Sequence, residues 1–229
     1  MTTNSVFITG GTGYMGKRLI PLLLAGGCEV SALVRPQSVN KLPEGCQPVI
    51  ADPFNPASFV NAIPENSTFI HLLGVSHPGP KKKALFYSVD LASLKASVEA
   101  AKQAAVKHFV YVSVAQFPTK VMGDYQEVRR QGEQAVLESG LASTFIRPWY
   151  VVGPGHYWPL IFNPVFKLLE IIPSTSVQAK ALALVSLKQM LLTLQQVVLS
   201  PPAKHNNIVE VQDIKNNHRT FEANEQQPV

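Results

Sequence analysis

Short apolar runs alternate along the chain with stretches in which apolar residues recur at helical spacing. Val6 to Thr9 is a β-branched and aromatic run that ends in glycines, and it predicts a strand. Tyr14 to Ala25 carries Met15, Leu19, Leu22 and Leu23 on one side and stops at Gly26-Gly27, as a helix does. Val30 to Val34 and Pro48 to Ala51 predict two further strands, Pro56 to Ala62 a short helix, and Thr68 to Leu73 a fully buried strand. Leu85 to Ala105 places Tyr87, Leu91, Leu94, Val98 and Ala101 on one face and predicts one long helix. Phe109 to Ser113, Gln126 to Ser139 and Thr144 to Arg147 continue as strand, helix and strand. Beyond residue 155, Leu160 to Ile172 and Val185 to Leu199 predict amphipathic helices, and Ile208 to Val211 a late strand. Alternation of this kind with buried strands predicts an α/β fold: a doubly wound parallel sheet covered on both faces.

The chain has 229 residues, 46% of them apolar and 15% charged, which suits one cored domain with a modest appendage and excludes a disordered chain. No apolar run reaches the ~18 residues of a membrane span, and the start of the chain lacks the basic stretch of a signal peptide. Two cysteines, Cys28 and Cys46, make neither a disulfide framework nor a metal-ligand pattern, so a reducing, cytoplasmic setting is expected. A net charge of +5 favours anionic partners without choosing among nucleotide, nucleic acid and lipid. Nucleic-acid recognition would want a basic stripe with stacking aromatics, which the sequence does not display.

The most specific motif is Thr9-Gly10-Gly11-Thr12-Gly13-Tyr14-Met15-Gly16, between the first strand and the first helix. Gly10 permits the tight turn, Gly13 lets a pyrophosphate approach bare backbone, and Gly16 lets the helix pack close to the sheet. The helix N-terminus adds oriented N–H groups and the positive end of a dipole, so the segment reads as a dinucleotide-binding turn. The second strand bears on which dinucleotide. It ends Ala32-Leu33-Val34-Arg35-Pro36, without the acidic residue that would hold the ribose hydroxyls of NAD. The planar fork of Arg35 suits a 2′-phosphate and therefore NADP rather than NAD, the alternative being a solvated arginine in a surface turn.

The glycine turn, the ALVR strand end, Asp52-Pro53, the HLLG strand end at 71 to 74, FVYVSVA at 109 to 115, Tyr125-Gln-Glu-Val-Arg129 and the run from Arg147 to Gly155 occur in a familiar order. In this the chain resembles the atypical short-chain dehydrogenase/reductases, closest to the NmrA-like and epimerase-like proteins with a Rossmann-type sheet. The likeness covers roughly residues 5 to 200 and is strong over the first 155. It implies that Thr12, Gly13, Tyr14 and Met15 line the pyrophosphate and that Asp52 and Pro53 flank the adenine. Leu73, Gly74 and Val75 would run along the adenosine ribose, and Pro148 would lie beside the nicotinamide.

The resemblance also implies a catalytic set of serine, tyrosine and a lysine four residues after the tyrosine. Here the set would be Ser113, Tyr125 and Arg129, because position 129 is arginine. Residues i and i+4 share a helix face, and a nearby cation favours the phenolate form of a tyrosine. Arginine keeps that charge but does not give up a proton, so a relay through it is not expected. Structural roles are the alternative for both Tyr125 and Arg129, and for Ser113 cofactor contact or capping of its strand. Gly132 on the same helix would allow close approach to the sheet. His71, on a buried strand, reads as a core histidine; His77 and His156 fall in loops. Trp149, Tyr150, Tyr157 and Trp158 form either an aromatic wall beside a substrate or part of the core. Lys81-Lys82-Lys83 reads as a solvated face, with attraction of an anionic substrate as the alternative.

These readings divide the chain into a dinucleotide-binding core over 1–155, a small lid over 156–215 and a loose tail over 216–229. The resemblance implies an NADPH-dependent oxidoreductase or epimerase-like enzyme acting on a small carbonyl substrate. A non-catalytic NADP(H)-binding regulator or assembly factor with a protein partner is the alternative. The chain is expected to be a monomer or a homodimer, with no metal and no nucleic acid bound.

Overall fold

The computed structural model describes residues 4–76, 78–117, 122–157 and 183–217. The predicted helix over 160–172, His77, Trp158 and most of the predicted tail lie outside them. Strands β1 (Ser5–Thr9), β2 (Glu29–Val34), β3 (Gln47–Ile50), β4 (Thr68–His71), β5 (His108–Val112), β6 (Ser143–Ile146) and β9 (Asn206–Val209) form one parallel sheet. Its order is β3-β2-β1-β4-β5-β6-β9. A separate parallel pair joins β7 (Tyr150–Val152) to β8 (Leu184–Ser186).

Alternation along each strand builds the two core layers. Val6 and Ile8 of β1 face one side, with Ile70 and Val110, and pack against helices α1 (Gly16–Ala25) and α5 (Leu187–Leu199). Phe7 faces the other side. In register with Phe69 and Phe109, it forms an aromatic ladder with ring centroids 5.2 and 5.1 Å apart. Burying each such ring is worth on the order of 2–3 kcal/mol. Helices α3 (Ala92–Gln103) and α4 (Gly123–Ser139) cover that face. Gly132 lets them meet the sheet, since a Cβ there would stand 2.5 Å from Leu94 and 2.8 Å from the Tyr111 hydroxyl.

Four elements differ from the sequence expectation. The segment predicted as a helix over 56–62 is two single turns of 3-10 helix, Pro56–Ser58 and Val60–Ala62, because Phe59 turns inward at φ −138° to stack near Phe7. The long helix predicted over 85–105 begins with α2 (Lys83–Leu85), passes through a π-helical turn at Phe86–Leu91, and only then becomes α3. The wider turn shifts the phase, so Phe86 is 1% exposed and Tyr87 38% exposed, the reverse of the helical-face expectation. The helix predicted from residue 185 starts at Leu187. The Ser186 hydroxyl accepts from the Gln189 N–H and the Gln189 side chain accepts from the Ser186 N–H, a capping box that leaves 184–186 free to pair as β8. The last strand ends at Val209, and residues 211–217 are helical. Within the 156–215 segment, α5 lies against α1, where the Gln195 amide donates to the Leu22 carbonyl, and β9 extends the main sheet.

Candidate dinucleotide site

The chain reverses direction across the sheet between β1 and β4, and the loops that leave these strands meet at their C-terminal ends, where doubly wound sheets bind ligands. Gly10 makes that meeting possible. Its φ is +79°, and a Cβ would stand 2.7 Å from the backbone of Leu72 and Leu73. Gly13 donates to the Gly10 carbonyl at 3.0 Å. A Cβ on Gly16 would overlap the Gly10 carbonyl oxygen, so α1 reaches the loop only as glycine. Its first turn carries no acidic side chain, leaving the positive end of its dipole uncompensated.

Above this junction lies a groove of about 430 Å³, within the range of small-molecule sites. Gly10, Thr12, Gly13, Arg35, Pro53, Leu73 and Gly74 line it, as does Phe54, which is 47% exposed. Ser38 and Val89 also face it. Those last three were not anticipated; only an aromatic directly after Asp52-Pro53 offered a sequence signal for Phe54. Arg35 is exposed at the tip of β2, and among the described residues its guanidinium has no hydrogen-bond or ion-pair partner. Asp52 stands just outside. Its Oδ1 accepts from the Phe54 N–H at 3.0 Å, holding the turn that presents Pro53 and Phe54 to the groove.

Tyr14, Met15 and Gly16 sit beneath the glycine turn. Met15 packs against the core, and the Tyr14 ring lies between the His156 ring, 4.5 Å away edge-on, and the Arg18 guanidinium at 4.7 Å. The Tyr14 hydroxyl is buried, without a hydrogen-bond partner among the described residues. Burial raises its pKa, opposed by the Arg18 charge. His71 is neutral: burial, then the Arg129 charge, lower its pKa to about 3. The Thr9 and Ser97 hydroxyls lie 2.9 and 3.1 Å from its Nδ1, so it braces β1 and β4 just before their loops.

Ser113 and Pro148 lie at the ends of β5 and β6 and Tyr125 on α4, and none of the three is among the residues that line the groove. Ser113 is 4% exposed, and among the described residues its Oγ has no hydrogen-bond partner. Its N–H donates to the Ile146 carbonyl, and the Ala115 N–H donates to Pro148, which places Pro148 beside the same strand end. Arg147 fixes Pro148 from behind through a fork to Glu133 at 2.9 and 2.5 Å and a bond to Glu210 at 2.8 Å. Tyr125 packs against Phe86 at 5.0 Å between ring centroids.

Arg129 does not extend toward the groove. Its Nη2 donates to Asp90 Oδ1 at 2.6 Å, its Nη1 lies 3.2 Å from both the Tyr111 hydroxyl and the Val112 carbonyl, and its Cζ stands over the Tyr125 ring at 4.9 Å. Burial pulls the Arg129 pKa down, but Tyr111, Tyr125 and Asp90 hold it above its ordinary value. Burial raises the Asp90 carboxyl pKa, opposed by the Arg129 charge and by the Val75 N–H, which donates to Asp90 Oδ2 at 3.0 Å. Asp90 was not anticipated, although an acid on an apolar helix face is a signal of a buried partner. Of the lysine run, Lys82 donates to the Ser76 carbonyl and Lys83 pairs with Asp124 at 2.7 Å, both at the surface.

Known proteins agree with this geometry. A family described as NAD(P)H-binding matches residues 10–154. Ceramide reductase from Caulobacter vibrioides is 29% identical over 154 residues, 66% of this chain and 47% of that one. Photosystem II assembly factor Ycf39 from Cyanophora paradoxa is 27% identical over 146 residues, 62% of this chain and 44% of that one. The chain thus spans about half the length of these curated relatives. The Bordetella bronchiseptica enzyme WbmH, solved in complex with NAD+, superposes with a TM-score of 0.67 at 19% identity over 99% of this chain and 84% of that one. The chain belongs to the NAD(P)H-binding family, with the Rossmann fold of the epimerase-like short-chain dehydrogenase/reductases that its motifs resemble.

Proposed function

We propose that the chain is an NADP(H)-dependent reductase of a small carbonyl compound. The observation that carries the cofactor choice is Arg35, a guanidinium in the groove wall with no partner among the described residues, at a strand tip that bears no acid. Gly10 and Gly16 permit the tight turn and the close helix packing that leave the backbone around Gly13 bare for a pyrophosphate, and Phe54 offers a flat apolar surface for a base. When bound, the reduced nicotinamide supplies a hydride to a carbonyl carbon. The unpaired Ser113 hydroxyl, in a buried position beside Pro148, suits donation to the carbonyl oxygen. Tyr125 would deliver the proton that completes the alcohol and recover one from solvent. The test is loss of NADPH absorbance with a panel of quinones, aldehydes and ketones. Steady turnover that falls at least ~100-fold in Tyr125→Phe supports the assignment, and unchanged turnover refutes the role of Tyr125.

A second reading, a non-catalytic NADP(H)-binding regulator or assembly factor, is favoured by one observation. The cation four residues after Tyr125 is committed to Asp90 and lies over the phenol ring rather than being free for proton transfer. The name of the Ycf39 relative points the same way. Tight NADPH binding without turnover on any substrate, together with a co-purifying protein, would select it.

A further inference from the structure

We propose that Arg129 and Asp90 form a latch that sets the wall of the dinucleotide groove, making Arg129 a positioning residue rather than part of the chemistry. The inference rests on the groove being the dinucleotide site. Four chain segments converge on this pair. Asp90 belongs to the π-helical turn, whose extra width turns Phe86, Asp90 and Leu91 inward together. Its carboxylate divides between two partners: Oδ1 takes the Arg129 guanidinium at 2.6 Å, and Oδ2 takes the Val75 N–H at 3.0 Å. Val75 directly follows Leu73 and Gly74, which line the groove, as does Val89, the neighbour of Asp90. From the other side, Arg129 Nη1 grips the carbonyl of Val112 and the hydroxyl of Tyr111 at the end of β5.

Gly74 shows how closely the loop is drawn onto the latch. A Cβ there would stand 2.8 Å from Asp90 Oδ1 and 2.9 Å from Arg129 Nη2. A larger residue at 74 would push the carboxylate or the guanidinium out of place, and the pair in turn fixes how far Leu73 and Gly74 project into the groove. A guanidinium is suited to this because its planar fork reaches the carboxylate from one nitrogen and the carbonyl from another, whereas the donors of an ammonium all radiate from a single nitrogen. Breaking either half leaves the other charge buried and alone, the costly outcome for such pairs.

The latch acts on the loop after β4, two strands across the sheet from the tip of β2 that carries Arg35. Its loss therefore falls equally on NADPH and NADH, unlike the loss of Arg35. The test combines cofactor titration with amide hydrogen exchange on the full chain. Arg129→Met, Asp90→Asn and the double variant are each expected to weaken both dinucleotides about tenfold, the double no more than the worse single. Arg129→Lys, chosen to keep the fold and the charge, should fall between wild type and Arg129→Met. Without cofactor, a peptide over residues 73–76 should exchange faster in Arg129→Lys and Arg129→Met than in wild type, while β1 and β2 stay protected. That readout stands even if wild type binds neither dinucleotide, a result that would sink the site and not the latch. Unchanged exchange at 73–76 would overturn the proposal. So would unchanged or tighter binding in Asp90→Asn beside weaker binding in Arg129→Met, the pattern of a guanidinium that touches the cofactor itself. A lower melting temperature with unaltered affinity would also overturn it, since the pair would then only support the fold.

Discussion

Replacing Arg35 by alanine tests the cofactor choice with a magnitude that follows from its surroundings. The guanidinium lies in the groove wall, is exposed, and has no described partner to give up when a phosphate arrives. A charge-assisted hydrogen bond shielded from water contributes about 1.5–3 kcal/mol and a solvated ion pair about 0.2–1 kcal/mol; a forked pair on a phosphate dianion, open to water on one side, falls between them at about 1–2 kcal/mol. At ~1.4 kcal/mol per decade, Arg35→Ala should raise the Kd for NADPH roughly five- to thirty-fold. NADH, which has no 2′-phosphate, should change less than about twofold. Fluorescence titration of both dinucleotides against both proteins measures the ratio. Because the pair is exposed, the preference of wild type for NADPH should shrink between ~0.05 M and ~0.5 M salt. An equal loss for the two dinucleotides would refute the 2′-phosphate argument, and so would a preference insensitive to salt.

Acid should destabilise the fold through His71. Its folded pKa lies near 3 against ~6.5 unfolded, so its contribution is whole above pH ~6.5 and declines as the unfolded chain alone takes up a proton, at up to ~1.4 kcal/mol per pH unit until the folded group titrates. Urea unfolding at several pH values should show a slope flatter by about that amount in His71→Gln, and an unaltered slope would rule His71 out as the source. Gly16→Ala drives a Cβ into the backbone of Gly10 and Gly11, which have no freedom to yield. It should cost about 1–3 kcal/mol of stability and at least ~10-fold in dinucleotide affinity. Gly123→Ala meets open space and should leave affinity alone; wild-type affinity in Gly16→Ala would contradict the packing argument.

What the sequence made legible was local. Glycines three residues apart between a strand and a helix leave few alternatives, and the β-branched and aromatic runs of Val6 to Thr9 and Phe109 to Ser113 needed only their neighbours to be read. The pairings that shape the site are distant: Asp90 and Arg129 are separated by 39 positions, and His71 and Thr9 by 62. Such partners leave no periodic trace. The π-helical turn was hidden for a related reason. Phe86 and Tyr87 are adjacent aromatics, and the same π-helical turn that brings Asp90 inward buries Phe86 and leaves Tyr87 exposed. Strands β7 and β8 are three residues long, too short for alternation to distinguish from the start of a helix.

Calorimetric titration of the wild-type chain with NADPH and with NADH tests the central claim most directly. Saturable binding of both, with NADPH tighter by about fivefold or more, is the predicted result. No saturable heat with either dinucleotide at millimolar concentration, or a preference for NADH, would contradict it.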